Sequence, residues 1–156
     1  MQPGTQKQDT TKIFETQRAP GFLFNALSRE YDAHITRCLK PLGLSARHWP
    51  ILDQTYLNGG INQKELAEMC LRDPSTLVNI IDSLEKKGLV KRVADPKDRR
   101  AFKLYITEEG VEKRNSAYQI TQKLFEQVTV DISKTEMDQL YNTCIRIYFA
   151  LQEIET

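Results

Sequence analysis

A chain of 156 residues with 40% hydrophobic content can bury one ordinary core, or a compact domain with helical extensions. No apolar run approaches the ~20 residues needed to span a bilayer, and the polar, Thr- and Gln-rich start over residues 1–17 lacks the apolar centre of a signal peptide. The formal charge is only +1, yet Lys86 to Lys103 holds eight basic and two acidic side chains, so everything else sums to about −5.

Positive charge gathered on one segment of a near-neutral protein marks a surface that faces a polyanion, and DNA is the first choice. The three cysteines, Cys38, Cys70 and Cys144, are far apart, without a CxxC, and only two histidines accompany them. The pattern predicts reduced thiols in a cytoplasmic protein, no zinc site and no cofactor. Neither a nucleophile–base constellation nor a glycine-rich phosphate loop is legible, so an enzyme is not expected.

Residues 1–17 are expected to form a loose tail. From Pro20-Gly21, Phe24, Leu27, Tyr31, Ile35, Cys38 and Leu39 recur at helical steps as far as Lys40, and Pro41-Leu42-Gly43 stops the pattern. Ser45 is placed to cap a second helix carrying Trp49, Leu52 and Tyr56. Pro50 predicts either a start near Trp49 or a kink, because a ring beyond the first turn removes a backbone donor. Asn58-Gly59-Gly60 ends that helix, and Asn62 with Glu65 has capping-box spacing for a short helix whose inner face is Leu66, Ala67 and Cys70.

After a turn at Leu71-Arg72, Asp73 caps a further helix with Pro74 at its first position, where a missing N–H costs nothing. Leu77, Ile80, Ile81 and Leu84 give it one apolar stripe, and Gly88 closes it. Two short helices joined by a tight turn are the arrangement of a helix-turn-helix. The other face of the second helix shows Ser75, Thr76, Asn79, Ser83 and Lys86, side chains suited to base edges and phosphates. Taken alone, the same face is equally that of an ordinary solvated helix.

The next segment favours the first reading. Residues 89–93 and 101–106 alternate apolar and polar as half-buried strands do, around a tip of Asp95-Pro96-Lys97-Asp98-Arg99-Arg100. Lys97, Arg99 and Arg100 suit the phosphate backbone or an adjacent minor groove. Asp98 fits there as a structural partner of Arg99 or Arg100. Thr107-Glu108-Glu109-Gly110 then opens a long helix, and Ser133 with Glu136 forms a capping box for the last one. Met137, Leu140, Tyr141, Cys144, Tyr148 and Leu151 run near a heptad on that last helix, with Ile145, Ile147, Phe149 and Ile154 on its other faces. One small core cannot satisfy a helix apolar on so many sides, which predicts a second copy of the chain.

Read in order, Leu44-Ser45, Trp49-Pro50-Ile51-Leu52, Gln63 to Glu68, Ser75-Thr76-Leu77, Asp82 to Val90, Asp95 to Arg100 and Leu104 to Gly110 resemble the MarR family of bacterial regulators. The resemblance runs from about Gly21 to the C-terminus, and its most specific element is the hairpin tip followed by Leu104-x-x-Thr107-x-x-Gly110. It implies a mainly α fold with a small β-hairpin wing, a winged helix-turn-helix over 45–106, and dimerisation helices over 18–44 and 107–156. It also implies a homodimer on a pseudo-palindromic operator in double-stranded DNA. Most such regulators repress, and many release DNA when a small phenolic or aromatic carboxylate ligand binds between the dimerisation and DNA-binding regions. Arg18, His48 and Trp49 are the candidates for that ligand, although Arg18 reads more readily as a solvated charge and Trp49 as a core anchor, and His48 equally as a surface histidine. Recognition helices of the family often carry arginines where this chain has Pro74, Asn79 and Ser83, which leaves base contacts to Ser75, Thr76 and Asn79. A winged-helix protein-interaction module without specific DNA binding is the alternative.

Overall fold

The computed structural model describes residues 12–13, 19–96 and 98–154, with the backbone alone at 98–100. In order come α1 (Pro20–Leu39), a 3₁₀ turn (Lys40–Leu42), α2 (His48–Leu57), β1 (Ile61–Asn62), α3 (Gln63–Met69) and α4 (Pro74–Lys86). The wing follows as β2 (Val90–Asp95) and β3 (Asp98–Ile106), and then α5 (Glu108–Val128) and α6 (Lys134–Glu153). The chain divides into two compact units at residues 118/119, so α1 groups with the helix-turn-helix and the wing. The tail expected over 1–17 lies outside the described residues, apart from 12–13.

Side-chain chemistry accounts for the helix starts. Asn62 Oδ1 accepts from Glu65 N–H at 2.9 Å while the Glu65 carboxylate accepts from Asn62 N–H, and Ser133 with Glu136 repeats the exchange at α6. Asp73 Oδ1 accepts from the N–H groups of Ser75 (2.9 Å) and Thr76 (3.0 Å), with Pro74 behind it. The cap expected of Ser45 is different in kind. Its carbonyl, not its hydroxyl, accepts from His48 and Trp49 N–H, and its Oγ lies 2.9 Å from the His48 ring. Because α2 starts at His48, Pro50 falls in the first turn, where the missing N–H forfeits no intrahelical bond.

Two helices end on the same device with different residues. After α4, Gly88 takes φ +71, its N–H reaches Glu85 O, and Leu89 N–H reaches Leu84 O. After α3, Leu71 takes φ 49 in the same role, with Leu71 N–H to Glu68 O and Arg72 N–H to Ala67 O. A branched side chain in the left-handed region is unusual and costs about 1 kcal/mol, so the helix-turn-helix turn is held by its two closing hydrogen bonds.

The sheet is antiparallel in the order β1-β3-β2, with Ile61 opposite Leu104 and Val90 opposite Ile106. The strand at Ile61 was not expected, because a two-residue element has no local period. The arms of the hairpin are also longer than the alternation predicted. They run to Asp95 and from Asp98, so residues 98–100 belong to β3. At the centre, Leu39, Leu52, Leu66, Leu84 and Leu104 are fully buried, one each from α1, α2, α3, α4 and β3. The second unit contrasts with this core: α6 has no buried side chain at all.

The Thr107-x-x-Gly110 junction has a steric reason. Thr107 Oγ1 accepts from Gly110 N–H at 3.0 Å and donates to Gly88 O at 2.6 Å, which pins the start of α5 to the end of α4. A Cβ on Gly110 would lie 2.1 Å from the Leu89 carbonyl oxygen and 2.6 Å from Ile106 Cγ1. Ala is the better helix former by about 1 kcal/mol, yet Gly110→Ala should lower stability by roughly 1–3 kcal/mol because backbone must move. Urea unfolding of the variant checks this.

Candidate nucleic-acid interface

Helix α4 is anchored on one side and open on the other. Leu77, Ile80, Ile81 and Leu84 are buried, whereas Ser75, Thr76, Asn79 and Lys86 are exposed. The expected face is thus free, with one exception: Ser83 is half-buried and engaged by His48. At the N-terminal end the Ser75 hydroxyl donates to Asp73 Oδ1 at 2.5 Å. That bond, joined by the backbone N–H of Thr76, holds the Asp73 carboxyl below the usual carboxylate range.

The wing is clamped to this helix by a residue that the charge pattern had counted as free. Arg92 of β2 donates through Nη2 to Asp82 Oδ1 at 2.6 Å and through Nη1 to Glu85 Oε2, while Arg92 N–H reaches Glu85 Oε1 at 3.1 Å. Burial alone would lower the guanidinium pKa, but the two carboxylates outweigh it and raise it. Arg92 is therefore a fixed strut, and its charge is answered within the protein. Lys103 lies 3.8 Å from Asp95, a looser pair at the distal end. Lys97 lies outside the described residues, as do the side chains of Asp98, Arg99 and Arg100; the backbone of the last three forms the start of β3. Val93 and Phe102 are exposed on the same wing.

A cleft of about 860 Å³ opens between α1, the turn before α2, and α4. Asp32, Thr36 and Arg37 line it from α1, Ser45 and Arg47 from the turn, His48 from the start of α2, and Thr76, Asn79 and Ser83 from α4. His48 is central to its wall. Its Nδ1 accepts from Ser45 N–H at 3.1 Å and its Nε2 lies 3.1 Å from Ser83 Oγ. Burial first, then the charges of Lys87 and Arg47, push the imidazole below its ordinary pKa.

Trp49, although adjacent in sequence, does not line this cleft. Its ring lies 6.4 Å from that of Tyr118, in a cluster where the Arg114 guanidinium sits 4.5 Å from the Tyr56 ring and 4.8 Å from the Tyr118 ring. Arg114 Nε and Nη2 also bond Asp53 Oδ1 at 2.7 and 2.6 Å. This is a joint between α2 and α5. Arg18, the third ligand candidate, lies outside the described residues.

Sequence reasoning missed Arg37 and Arg47 in the cleft and the structural duty of Arg92. For Arg92 a signal existed: Asp82 and Glu85 stand one helical turn apart, with an arginine just past the glycine stop. The three cysteines are half-buried and unbridged. Among the described residues no helix is long and apolar enough to cross a membrane.

Comparison with known proteins gives a consistent picture. The family model described as MarR family matches residues 42–101. The HTH-type transcriptional regulator SarZ of Staphylococcus haemolyticus is 30% identical over 122 residues, covering 78% of this chain and 82% of that protein. Among solved structures, MepR of S. aureus in complex with DNA matches with a TM-score of 0.80 at 20% identity, over 85% of this chain and 98% of that one. CouR of Rhodococcus jostii bound to p-coumaroyl-CoA matches with a TM-score of 0.74 at 28% identity, over 84% and 92%.

The Arg92 strut generates a test. Its partners are partly exposed, so Arg92→Ala should cost only about 1–2 kcal/mol of stability, read by chemical unfolding. Arg92→Lys should recover part of the loss, since a single ammonium cannot reproduce the fork to both carboxylates.

Proposed function

Since the chain belongs to the MarR family of DNA-binding transcriptional regulators, we propose that it acts as a homodimeric repressor on a pseudo-palindromic operator and is released by a small aromatic or phenolic ligand. The observation that carries the reading is the pairing of an open polar face on α4 with a basic wing braced to the same helix by Arg92. With α4 in the major groove, Ser75, Thr76 and Asn79 meet base edges. Asn79 matches adenine through a bidentate amide contact, which favours an A·T-containing half-site. Lys86, Lys97, Arg99 and Arg100 meet phosphates and the flanking minor groove, with Asp98 orienting an arginine.

The dimer is supported by apolar surface that stays exposed among the described residues. Phe22, Phe24, Leu27 and Tyr31 on α1 are exposed, and so are Leu140, Tyr141, Tyr148, Phe149 and Leu151 on α6. A two-fold axis then sets two copies of α4 into successive major grooves about 10 bp apart. The cleft beside α4 supports the ligand. Arg37 and Arg47 supply positive charge for a carboxylate or phenolate, and a ligand preferring one spacing of the two recognition helices shifts the population toward it, by no more than its differential affinity.

Binding to the chain's own upstream DNA should fall roughly 10³–10⁵-fold between 50 and 200 mM salt if 6–10 phosphates are neutralised. Arg99→Ala should flatten that slope, while Asn79→Ala should cost about 1–3 kcal/mol on a preferred site and little on random DNA. Fluorescence anisotropy on both DNAs measures each. Affinity that is sequence-blind, and unmoved by Arg99→Ala, would point to a protein-binding winged helix instead. Leu140→Glu and Tyr148→Glu should split the dimer into unstable monomers, and a dimer by light scattering for both variants would remove α6 from the interface.

A further inference from the structure

His48 and Ser83 are 35 positions apart and belong to different elements, yet their side chains meet at 3.1 Å in the wall of the cleft. The geometry fixes the protons. The Ser45 backbone N–H can only donate, so the Nδ1 it points at, 3.1 Å away, must be the unprotonated nitrogen of the ring. The proton therefore sits on Nε2, and Nε2 donates to Ser83 Oγ. Both ring nitrogens are spent, one on the turn ahead of α2 and the other on α4. We propose that His48 is a positioning residue: its neutral Nε2–H ring latches α4 to the turn at Ser45 and sets the angle at which α4 meets DNA, so that Ser83 serves the latch and does not touch a base. This rests on the reading of α4 as the recognition helix.

Two features make the contact a latch and not ordinary packing. Ser83 lies on the flank of α4, next to the open face and away from the fully buried Leu77, Ile81 and Leu84. The bond therefore resists rolling of the helix about its own axis, which apolar contacts on the far side restrain less. It also lines the cleft, where an acceptor group from a bound molecule can compete with Ser83 for the Nε2 proton.

Acid opens the same latch. A second proton on Nδ1 sets two donors against each other at the Ser45 N–H, and leaves the ring only Ser45 Oγ, 2.9 Å away, as acceptor on that side. The charged groups facing the ring are Arg47 in its own turn, Lys87 at the end of α4, and Asp32 and Arg37 across the cleft on α1. Burial first, then the charges of Lys87 and Arg47, favour the neutral ring. The contribution of the latch is thus complete above the ordinary imidazole range and is lost as pH falls below it.

The test is a double-mutant cycle on the full chain, with its own upstream DNA and a random fragment as probes. His48→Ala and Ser83→Ala should each weaken specific binding about tenfold, and the double variant should bind no worse than either single one. His48→Gln should restore most of the affinity, since its amide N–H can reach Ser83. Wild-type preference for the specific site should hold from about pH 7.5 down to about pH 6.5 and decline below it, while that of His48→Gln should stay flat. Additive losses overturn the proposal. So does a Ser83→Ala defect with no His48→Ala defect, because Ser83 would then be touching DNA itself. A wild-type chain that does not distinguish the two probes overturns the recognition-helix reading. In that case non-additivity of the same pair in urea unfolding still shows whether the bond is made, so the two failures stay separate.

Discussion

The burial of Leu77, Ile80, Ile81 and Leu84 on one side of α4 decides everything that the rest of the molecule can do. Truncating any one of these side chains removes on the order of 2–5 kcal/mol, so the four together hold that side of the helix against the core. The arc carrying Ser75, Thr76 and Asn79 is open because the opposite arc has no alternative to the core. Helix caps and turns then fix where the helix begins and ends: Asp73 gathers two N–H groups at one end, and Gly88 closes the other. The face offered to a partner is set by packing. Polar chemistry only trims its edges.

The strut and the latch refine this arrangement from opposite flanks. Arg92 ties the wing to Asp82 and Glu85, and His48 ties the Ser45 turn to Ser83, so α4 is braced by neighbours that precede and follow it in sequence. Neither contact contributes much to net stability, since partly exposed ion pairs and single hydrogen bonds give about 1 kcal/mol each. Their importance lies in direction. The core resists removal of the helix, whereas these contacts resist its rotation and the swing of the wing. The electrostatic consequence is that Arg92 spends its positive charge internally, and Lys103 is more loosely paired with Asp95. Attraction for a polyanion thus falls on the exposed lysines and on the wing tip.

What could be read in the sequence follows from distance along the chain. The apolar stripe of α4, the boxes at Asn62/Glu65 and Ser133/Glu136, and the proline at the start of α4 all depend on neighbours within four residues, and all were legible. The strand at Ile61 was not, because it exists only through Leu104, far along the chain. The same holds for His48 with Ser83 and for Arg114 with Asp53, 61 positions apart, neither of which has any periodic signature. The wing tip misled for a different reason. Asp95, Pro96 and Asp98 are turn-forming residues, so composition suggested a six-residue loop, yet antiparallel pairing with β2 continues to Asp98. At Trp49 the choice between ligand site and core anchor rested on which way one side chain points, and it joins the Arg114 cluster.

Helix α6 has the opposite problem to α4. It is 20 residues long and apolar on several sides, and it buries no side chain within the chain itself. Intrinsic propensity leaves a helix of this length marginal in water, so its order requires a surface to pack on. On the proposed homodimer that surface is the same helix region of a second copy, which is self-complementary by symmetry. The same two-fold axis duplicates α4 and the wing, and so matches the inverted symmetry of a pseudo-palindromic site. Loss of the interface would then leave a single copy with half of the DNA contacts. The remaining copy would carry an uncovered apolar helix and would no longer hold the spacing that makes two half-sites one operator.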